Sequence, residues 1–238
     1  METHTARLFL LPSNIGEGDP FTVLPANYPE VVCGIRIFFV EEIRTARRFL
    51  RKIGFTTSFD EVFFIEINEH TFDTPIENLV APIAWQGQTL GLLSEAGVPC
   101  VADPGAFVVA WAHRQHIQVC PLVGPSSILL ALMASGFNGQ HFLFHGYLPV
   151  DKTERNKKIK EVETQSRRLD QTQIFIETPY RNQNLFSAIC EICQDETKLC
   201  IAKNITQSNE VIRSLSIKEW KKQKIDLHKQ NTVFLLYA

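Results

Sequence analysis

Turn-forming residues concentrate between positions 91 and 105, where the sequence reads GLLSEAGVPCVADPG. Gly97 and Gly105 have no Cβ atom, so the edge of a ligand can approach their backbone N–H and C=O groups closely. Pro99 and Pro104 stiffen the two turns. A single Asp-Pro-Gly is most often a plain turn, but two rigid turns in tandem after an apolar run favour a binding site.

Two further loops have residue types that suit a ligand site. Residues 14–18, NIGEG, follow the apolar run 8–11, although the dinucleotide fingerprint GxGxxG is absent and an ordinary turn is an equal alternative. Residues 124–127, GPSS, stand where a strand gives way to a helix, and the free N–H groups of a helix N-terminus favour a carboxylate. Capping of that helix by serine is the rival explanation.

The elements that position these loops alternate between short apolar runs and longer amphipathic stretches, which is typical of an α/β fold. Ligands of open α/β sheets bind just beyond the carboxyl ends of strands, where all these loops fall. The rhythm pauses near residues 121–125, so we predict two α/β domains, 1–121 and 122–238. Strands are predicted at 8–11, 37–40, 89–94, 100–102, 117–123, 141–147, 173–176, 198–202 and 232–236. Helices are predicted over 41–53, from 74 to the interruption at Pro82, and over 107–115, 124–135, 151–168 and 181–193.

Composition and charge narrow the class of protein. The chain has 238 residues, of which 45% are apolar and 21% charged, and its formal net charge is −2. These values are ordinary for a globular protein, and any nucleic-acid surface would have to be a local basic patch. Two helices could supply one: 41–53, with four arginines, and 152–168, where interleaved acids favour an ordinary solvated face.

The cysteines and the apolar runs predict a cytoplasmic protein without a metal site. Five of the six cysteines lie in apolar runs, and the CxxC at 190–193 has neither a second CxxC nor a histidine pair to complete a zinc site. The N-terminus lacks a secretory signal pattern, and no apolar run approaches the ~18 residues of a membrane span. We therefore expect reduced thiols, no metal and no membrane.

The motifs also follow one another in the order of a known family. The segments SEAGVP at 94–99, DPG at 103–105, VCPLVGPS at 119–126 and GYLP at 146–149 resemble the ribosomal-RNA (cytidine-2′-O) methylase branch of the tetrapyrrole methylase family. Its other motifs are similar to Pro12-Ser-Asn-Ile-Gly16, Glu41-Glu-Ile-Arg44, Asn68-Glu69, Glu177-Thr-Pro-Tyr-Arg181 and, more loosely, 203–210. This resemblance implies two α/β domains with a ligand cleft between them, a homodimer, and S-adenosylmethionine as the methyl donor.

The resemblance also assigns the donor site residue by residue. The donor-binding residues it implies are Pro12, Gly16, Ser94, Glu95, Ala96, Gly97, Asp103, Pro104, Gly105, Ser126, Ser127, Tyr147, Leu148 and Pro149. Three positions depart from the family pattern: Glu95 replaces Asp, and Val98 and Ile43 each replace Thr. The donor side is therefore better kept than the acceptor side. The extra C-terminal segment of many such RNA methylases is not expected here.

Methyl transfer to an alcohol needs a group that removes the hydroxyl proton. Glu41, Glu42 and Glu69 are the candidates, with Arg44 and Arg181 as positioning groups; the catalytic set we predict is Glu42, Glu69, Arg44 and Arg181. The two adjacent glutamates could instead be the acidic start of a helix, and Glu69 could belong to a polar loop.

Three functions fit these patterns, in descending order. The first is ribose 2′-O-methylation of ribosomal RNA, with that RNA or the small ribosomal subunit as partner. The second is methylation of a tetrapyrrole or another small acceptor. The third is a non-catalytic paralogue that binds S-adenosylmethionine as a regulatory module.

Overall fold

A computed structural model describes residues 6–68, 71 and 74–238 of the chain. The chain divides into two compact units between Ser126 and Ser127, five residues after the boundary expected from the sequence. Each unit is a β-sheet covered by helices, which confirms the prediction of two α/β domains. The ligand cleft between them stays a prediction. Within the described ranges, no helix combines the length and apolar character needed to cross a membrane.

The first unit is built on a five-stranded sheet whose neighbouring strands all run parallel. The strand order is β3-β2-β4-β1-β5. The strands are β1 (Arg7–Leu11), β2 (Ile37–Val40), β3 (Phe63–Glu66), β4 (Thr89–Leu93) and β5 (Gln118–Pro121). The four residues of β2 are all buried, as expected for a parallel strand covered on both faces.

Helices cover both faces of this sheet. Helices α1 (Tyr28–Val32) and α2 (Ile43–Lys52) pack against one face, in a core with Phe38 and Leu11. Helices α3 (Ile76–Val80) and α4 (Ala106–Arg114) pack against the other face. Since crossovers between parallel strands are right-handed, connections that run in opposite directions along the sheet lie on opposite faces.

This topology places a switch point of the sheet at the end of β4. The chain leaves β1 and β2 toward the face of α1 and α2, whereas it leaves β4 toward the face of α4. Strand β4 lies between β1 and β2, so the helix that follows β4 lies on the opposite face of the sheet from the helices that follow its two neighbours. Ligands of doubly wound sheets bind at such switch points, beyond the carboxyl ends of the strands.

The second unit has a mixed sheet of order β6-β7-β10-β8-β9. Its strands are β6 (Phe142–Tyr147), β7 (Thr172–Ile176), β8 (Lys198–Lys203), β9 (Val211–Ser216) and β10 (Thr232–Tyr237). Strands β6 and β7 pair in parallel, and the other neighbours pair antiparallel. Helix α5 (Ser127–Ser135) covers one face, and α6 (Lys152–Leu169), α7 (Asn182–Ile192) and α8 (Ile217–Trp220) pack on the other.

Most predicted elements are confirmed to within three residues, but one strand is wrong and four elements were missed. Residues 100–102 form turns instead of a strand, because Cys100 and Ala102 have left-handed φ angles of 67° and 57°. Strands β3 and β9 and helices α1 and α8 lie outside the predicted elements. All four are short, and β9 is an edge strand with half-exposed residues, so its hydrophobic pattern is weak.

Candidate active site

The loops that follow β1 and β4 meet at the carboxyl edge of the first sheet. The Ser13 N–H donates to the Gly97 carbonyl at 2.9 Å, and the Ser94 N–H donates to the Leu11 carbonyl at 3.2 Å. Both serines are buried. These backbone hydrogen bonds hold two of the loops that the sequence predicts to bind the donor, those containing Gly16 and residues 94–97, side by side.

Gly97 is required by the backbone of the loop after β4. Its φ of +80° lies in the left-handed region, and a Cβ atom there would stand 3.1 Å from the Pro125 carbonyl oxygen. Any other residue would be strained and would push against the loop that follows β5. The loops after β4 and β5 therefore approach each other closely.

Pro12 contacts two neighbouring parts of the same unit, the loop after β5 and helix α1. A Cβ atom on Gly124 would lie 2.2 Å from the Pro12 ring, so the loop after β5 packs directly on the loop after β1. The Pro12 carbonyl oxygen accepts the Tyr28 hydroxyl at 2.6 Å, and burial raises the pKa of that hydroxyl well above its ordinary value. This carbonyl is thus engaged by α1.

Asp103 folds the second turn of the segment 91–105. One of its carboxylate oxygens accepts the N–H groups of Cys100, at 3.1 Å, and Gly105, at 3.0 Å. These two bonds explain why the expected strand at 100–102 is replaced by a turn. Gly105 is needed for packing, since a Cβ atom there would lie 2.7 Å from the Leu92 side chain. The Gly105 N–H already donates to Asp103 and is not free to bind a ligand. The missing Cβ atom instead lets the start of α4 pack closely on Leu92 of β4.

Three carboxylates come together at the ends of β2 and β4. Burial, the neighbouring charges of Asp103 and Glu95 and a hydrogen bond with Asp103 together raise the pKa of Glu41 from about 4.5 to about 7, with burial the largest cause. Glu95 accepts a hydrogen bond from the Thr45 hydroxyl. Glu41 is therefore a carboxyl group that exchanges its proton near neutral pH.

A small cavity opens beside this acidic cluster, which comprises Glu41, Glu95 and Asp103. Its volume is about 30 Å³, and its polar lining includes Ser13, Ser94 and Thr45. This volume holds a water molecule or two. The cavity is far smaller than a nucleoside, so within the first unit it could hold only the reacting end of a ligand.

Glu42 caps helix α2. Its two carboxylate oxygens accept the N–H groups of Arg44, at 2.8 Å, and Thr45, at 2.7 Å. Burial acts to raise the pKa of Glu42, but the hydrogen bonds from Arg44 and Thr45 outweigh it, so the pKa lies below its ordinary value. Of the two adjacent glutamates, Glu41 is thus better suited to accept a proton near neutral pH.

Of the remaining predicted catalytic residues, Arg44 and Arg181 are described, one in each unit. Glu69 lies outside the described residues. Arg44 is exposed on α2. Arg181 belongs to the second unit, where its guanidinium donates to the buried Glu177 carboxylate at 2.6 Å and 3.0 Å. Asp103, which the sequence suggested only as a donor contact, adds to burial in raising the pKa of Glu41.

The predicted donor contacts of the second unit lie at two positions. Ser127 is the first residue of α5, immediately after Ser126. Strand β6 has an irregular register between Phe144 and Tyr147, where Gly146 takes a φ of +67°. Beyond that bulge Tyr147 is exposed, Leu148 is buried and Pro149 follows. The part of the chain that the structure describes holds no group of three or more His, Cys, Asp or Glu side chains placed to bind a metal ion.

Comparison with known proteins identifies relatives that cover most of the chain. No family model matches it. It is 31% identical over 210 residues to the ribosomal RNA small subunit methyltransferase I of Mesorhizobium japonicum, covering 87% of this chain and 66% of that protein. The proteins of the same name from Vibrio cholerae and Escherichia coli O157:H7 are 27% and 25% identical, covering 89% and 97% of this chain and 69% and 77% of theirs.

Solved structures share the fold at lower sequence identity. The methyltransferase CobJ superposes with a TM-score of 0.61 at 14% identity, covering 98% of this chain and 95% of CobJ. Diphthine synthase superposes with a TM-score of 0.66, also at 14% identity, covering 98% of this chain and 90% of that one. These similarities establish the fold, whereas the sequence relatives place the chain in a family.

Proposed function

Because the chain belongs to the tetrapyrrole methylase family, on the branch of the ribosomal RNA small subunit methyltransferase I proteins, we propose that it methylates a ribose 2′-hydroxyl of small-subunit ribosomal RNA. The methyl donor is S-adenosylmethionine. The observation that carries the proposal is the acidic cluster at the switch point of the first sheet, with a carboxyl group whose pKa is about 7.

The chemistry of the acidic cluster suits this donor. S-adenosylmethionine supplies a methyl group bound to a positively charged sulfur. Carboxylates stabilise a nearby cation, and Glu95 and Asp103 flank Glu41 at the end of the sheet. Serine hydroxyls beside them can accept or donate hydrogen bonds to a polar ligand. We propose that residues 94–97 contact the donor directly, while Pro12, Asp103 and Gly105 hold the loops in place.

Glu41 acts as the general base in this proposal. It accepts the proton of the 2′-hydroxyl while the oxygen forms a bond to the methyl carbon and the carbon–sulfur bond breaks, leaving S-adenosylhomocysteine and the protonated carboxyl group. A base works best when its pKa lies near the working pH, because it is then ionised and still basic. The pKa of about 7 for Glu41 meets this condition.

In this proposal the acceptor RNA contacts helix α2. Arg47 and Arg51 lie over the ring of Phe59, with guanidinium-to-centroid distances of 5.3 Å and 4.0 Å. Arg44 and Arg48 are exposed on the same helix, one turn apart. We propose that this second pair contacts phosphates. As the family resemblance implies, we also expect a homodimer with the donor bound between the two domains. The cysteine pattern and the short apolar runs lead us to expect a cytoplasmic protein without a catalytic metal.

The decisive experiment is methylation of undermethylated small ribosomal subunits with methyl-labelled S-adenosylmethionine, followed by mapping of the labelled nucleotide. We expect label on one ribose 2′-oxygen. Label on a tetrapyrrole or another small acceptor, with none on RNA, would show a small-molecule enzyme. Donor binding without transfer to any acceptor would show a non-catalytic paralogue.

A charge-reversal pair tests the acceptor contact. Arg44→Glu with Arg48→Glu should weaken RNA binding and its salt dependence, because two phosphate contacts are lost, and should leave donor binding unchanged. Arg47→Lys with Arg51→Lys is the control, since it keeps both charges but removes the planar stacking on Phe59. RNA binding that is indifferent to the first pair would contradict this contact.

A further inference from the structure

A second basic region lies in the other unit, on the segment 218–229. This segment reads KEWKKQKIDLHK and holds five lysines against two acidic residues, in a chain whose formal net charge is −2. Lys221 is paired with Asp195 at 2.6 Å. Among the described residues, Lys222, Lys224 and Lys229 form no ion pair, and all three are exposed.

Next to these lysines an aromatic ring is exposed and held in place. Tyr180, in the connection between β7 and α7, is 68% exposed. The Lys229 ammonium lies 5.6 Å from the centre of the Tyr180 ring, and the His228 ring meets it edge-on at 6.1 Å. A large exposed aromatic side chain bordered by positive charge is a stacking surface for an unpaired base.

The backbone makes this arrangement rigid. The Lys229 N–H donates to the Pro179 carbonyl at 3.0 Å, and the Asn182 side chain donates to the Gln230 carbonyl at 2.6 Å. The Leu227 N–H donates to the Gln183 side chain at 3.0 Å. One hydrogen bond therefore joins residues 227–230 to the connection that carries Tyr180, and two join them to the first turn of α7, so the ring and the lysine are positioned before any ligand arrives.

An open groove continues from this platform along the start of α7. Its volume is about 510 Å³, and its lining includes Gln183, Phe186, Gln223 and Lys224. The groove thus combines one lysine, one carboxylate (Asp226), amide groups and an aromatic edge, and the excess positive charge of this surface comes from Lys222 and Lys229 outside the lining. Lysine is depleted in the cores of protein–protein interfaces, so this composition favours a polyanion over another protein.

We propose that Tyr180, the groove and the lysines at 222, 224 and 229 bind a single-stranded segment of the RNA substrate, with one base on Tyr180 and the phosphates on the lysines. This inference rests on the proposed function, since it takes RNA as the substrate. Duplex RNA fits less well, because its bases are already stacked on one another and unavailable to a tyrosine ring.

Fluorescence anisotropy with a labelled single-stranded RNA of about twelve nucleotides tests the stacking contact. Tyr180→Ala should weaken binding by about five- to 150-fold, the usual effect of removing one stacking aromatic side chain. Tyr180→Phe keeps the ring and should bind like the unmodified protein. If Tyr180→Ala binds as tightly as Tyr180→Phe, no base stacks at this position and the proposal is overturned.

The lysines are tested by the salt dependence of the same binding. Lys224→Glu with Lys229→Glu should reduce the slope of log affinity against log salt by about 1.4, or about 0.7 for each lost phosphate contact to a single strand. Lys198→Glu is the matched control, because Lys198 is an exposed lysine at the start of β8, at the opposite end of the sheet's strands from the end of β7 that Tyr180 follows. A slope change no larger than that of the control would contradict the phosphate contacts.

The two proposals fail in different ways. If the unmodified protein methylates ribosomal RNA but Tyr180→Ala and the lysine variants bind RNA normally, this inference is wrong and the proposed function stands. If the unmodified protein neither binds nor methylates RNA, the proposed function fails and this surface loses its ligand. Circular dichroism and donor binding of each variant confirm that the fold is intact.

Discussion

Glu41 and Glu177 hold equivalent places in the two units, since each directly follows the last residue of a strand, β2 in one case and β7 in the other. Their neighbours are opposite in charge. Glu41 faces Asp103 and Glu95, and its pKa rises to about 7. Glu177 is buried against the Arg181 guanidinium at 2.6 Å. A carboxylate at a strand end is therefore reactive or structural according to what surrounds it.

Removing the carboxylate of Glu41 should give the largest effect. Glu41→Gln cannot accept a proton, so kcat should fall by about 10²- to 10⁴-fold, the usual contribution of a general base. Single-turnover methylation of RNA measures this loss. Activity within a few-fold of the unmodified protein would show that another group is the base. Glu41 would then not differ from Glu177 in function.

The same variant should also be more stable at alkaline pH. Because the folded-state pKa of Glu41 is raised from about 4.5 to about 7, the native protein loses stability as the pH rises through that window. Gln has no charge to lose, so Glu41→Gln should exceed the unmodified protein in unfolding free energy at pH 8 and lose this advantage at pH 4. Urea denaturation at both pH values checks the sign.

Breaking the ion pair of the second unit should affect stability instead of chemistry. Arg181→Ala leaves the Glu177 carboxylate buried without its partner, and we expect a loss of about 2–3 kcal/mol in unfolding free energy. This is below the ~3–5 kcal/mol of a fully buried pair because the Arg181 side chain is 31% exposed. The kcat of the folded fraction should stay unchanged, and a large fall in kcat at full folding would restore Arg181 as a positioning residue for the reaction.

A substitution at Glu42 tests whether Glu41 and Glu42 have different roles. Glu42→Ala removes the cap of α2 and should lower the midpoint of urea denaturation, as the loss of other helix caps does. Methylation by the folded variant should remain within a few-fold of normal. If Glu42→Ala instead abolishes activity as Glu41→Gln does, Glu42 takes part in catalysis, as the sequence alone suggested.

Asp103 should control the pH at which Glu41 works. Asp103→Asn removes one negative charge but retains a side-chain oxygen that can accept the N–H groups of Cys100 and Gly105. The pKa of Glu41 should then fall, so that the rising limb of kcat, expected near pH 7 in the unmodified protein, moves to lower pH. An unmoved limb would show that Asp103 does not set the proton affinity of the base.

The arginines of α2 show what helical periodicity can and cannot predict. The pattern of Ile43, Ala46 and Leu50 predicted the helix and its buried face, because apolar spacing of three and four residues is a local property. The same pattern could not show that Arg47 and Arg51 pack on Phe59, which lies outside the helix. All four arginines of α2 stay exposed, and the tertiary contact decides which two are held against an aromatic ring.

In the segment 91–105, too, one feature was predictable from the sequence and another was not. Its glycines and prolines predicted turns, and Gly97 does take the left-handed φ that its residue type allows. The apolar letters at 100–102 predicted a strand, but the Asp103 carboxylate captures the Cys100 N–H and turns the chain. A hydrogen bond from a side chain competes with strand pairing, and hydrophobicity alone does not report it.

The sequence by itself determined the alternation of strands and helices, the loops at the strand ends and the order of the family motifs, since each depends on residue type and local spacing. The tertiary structure alone decided that Glu41 meets Asp103 and Glu95 while Glu177 meets Arg181. Glu41 and Asp103 are separated by 62 positions in the chain, counted from their numbers, and are brought together only because β2 and β4 pair in parallel. Proton affinity depends on distance in space, through burial and charge, and sequence separation carries no record of it.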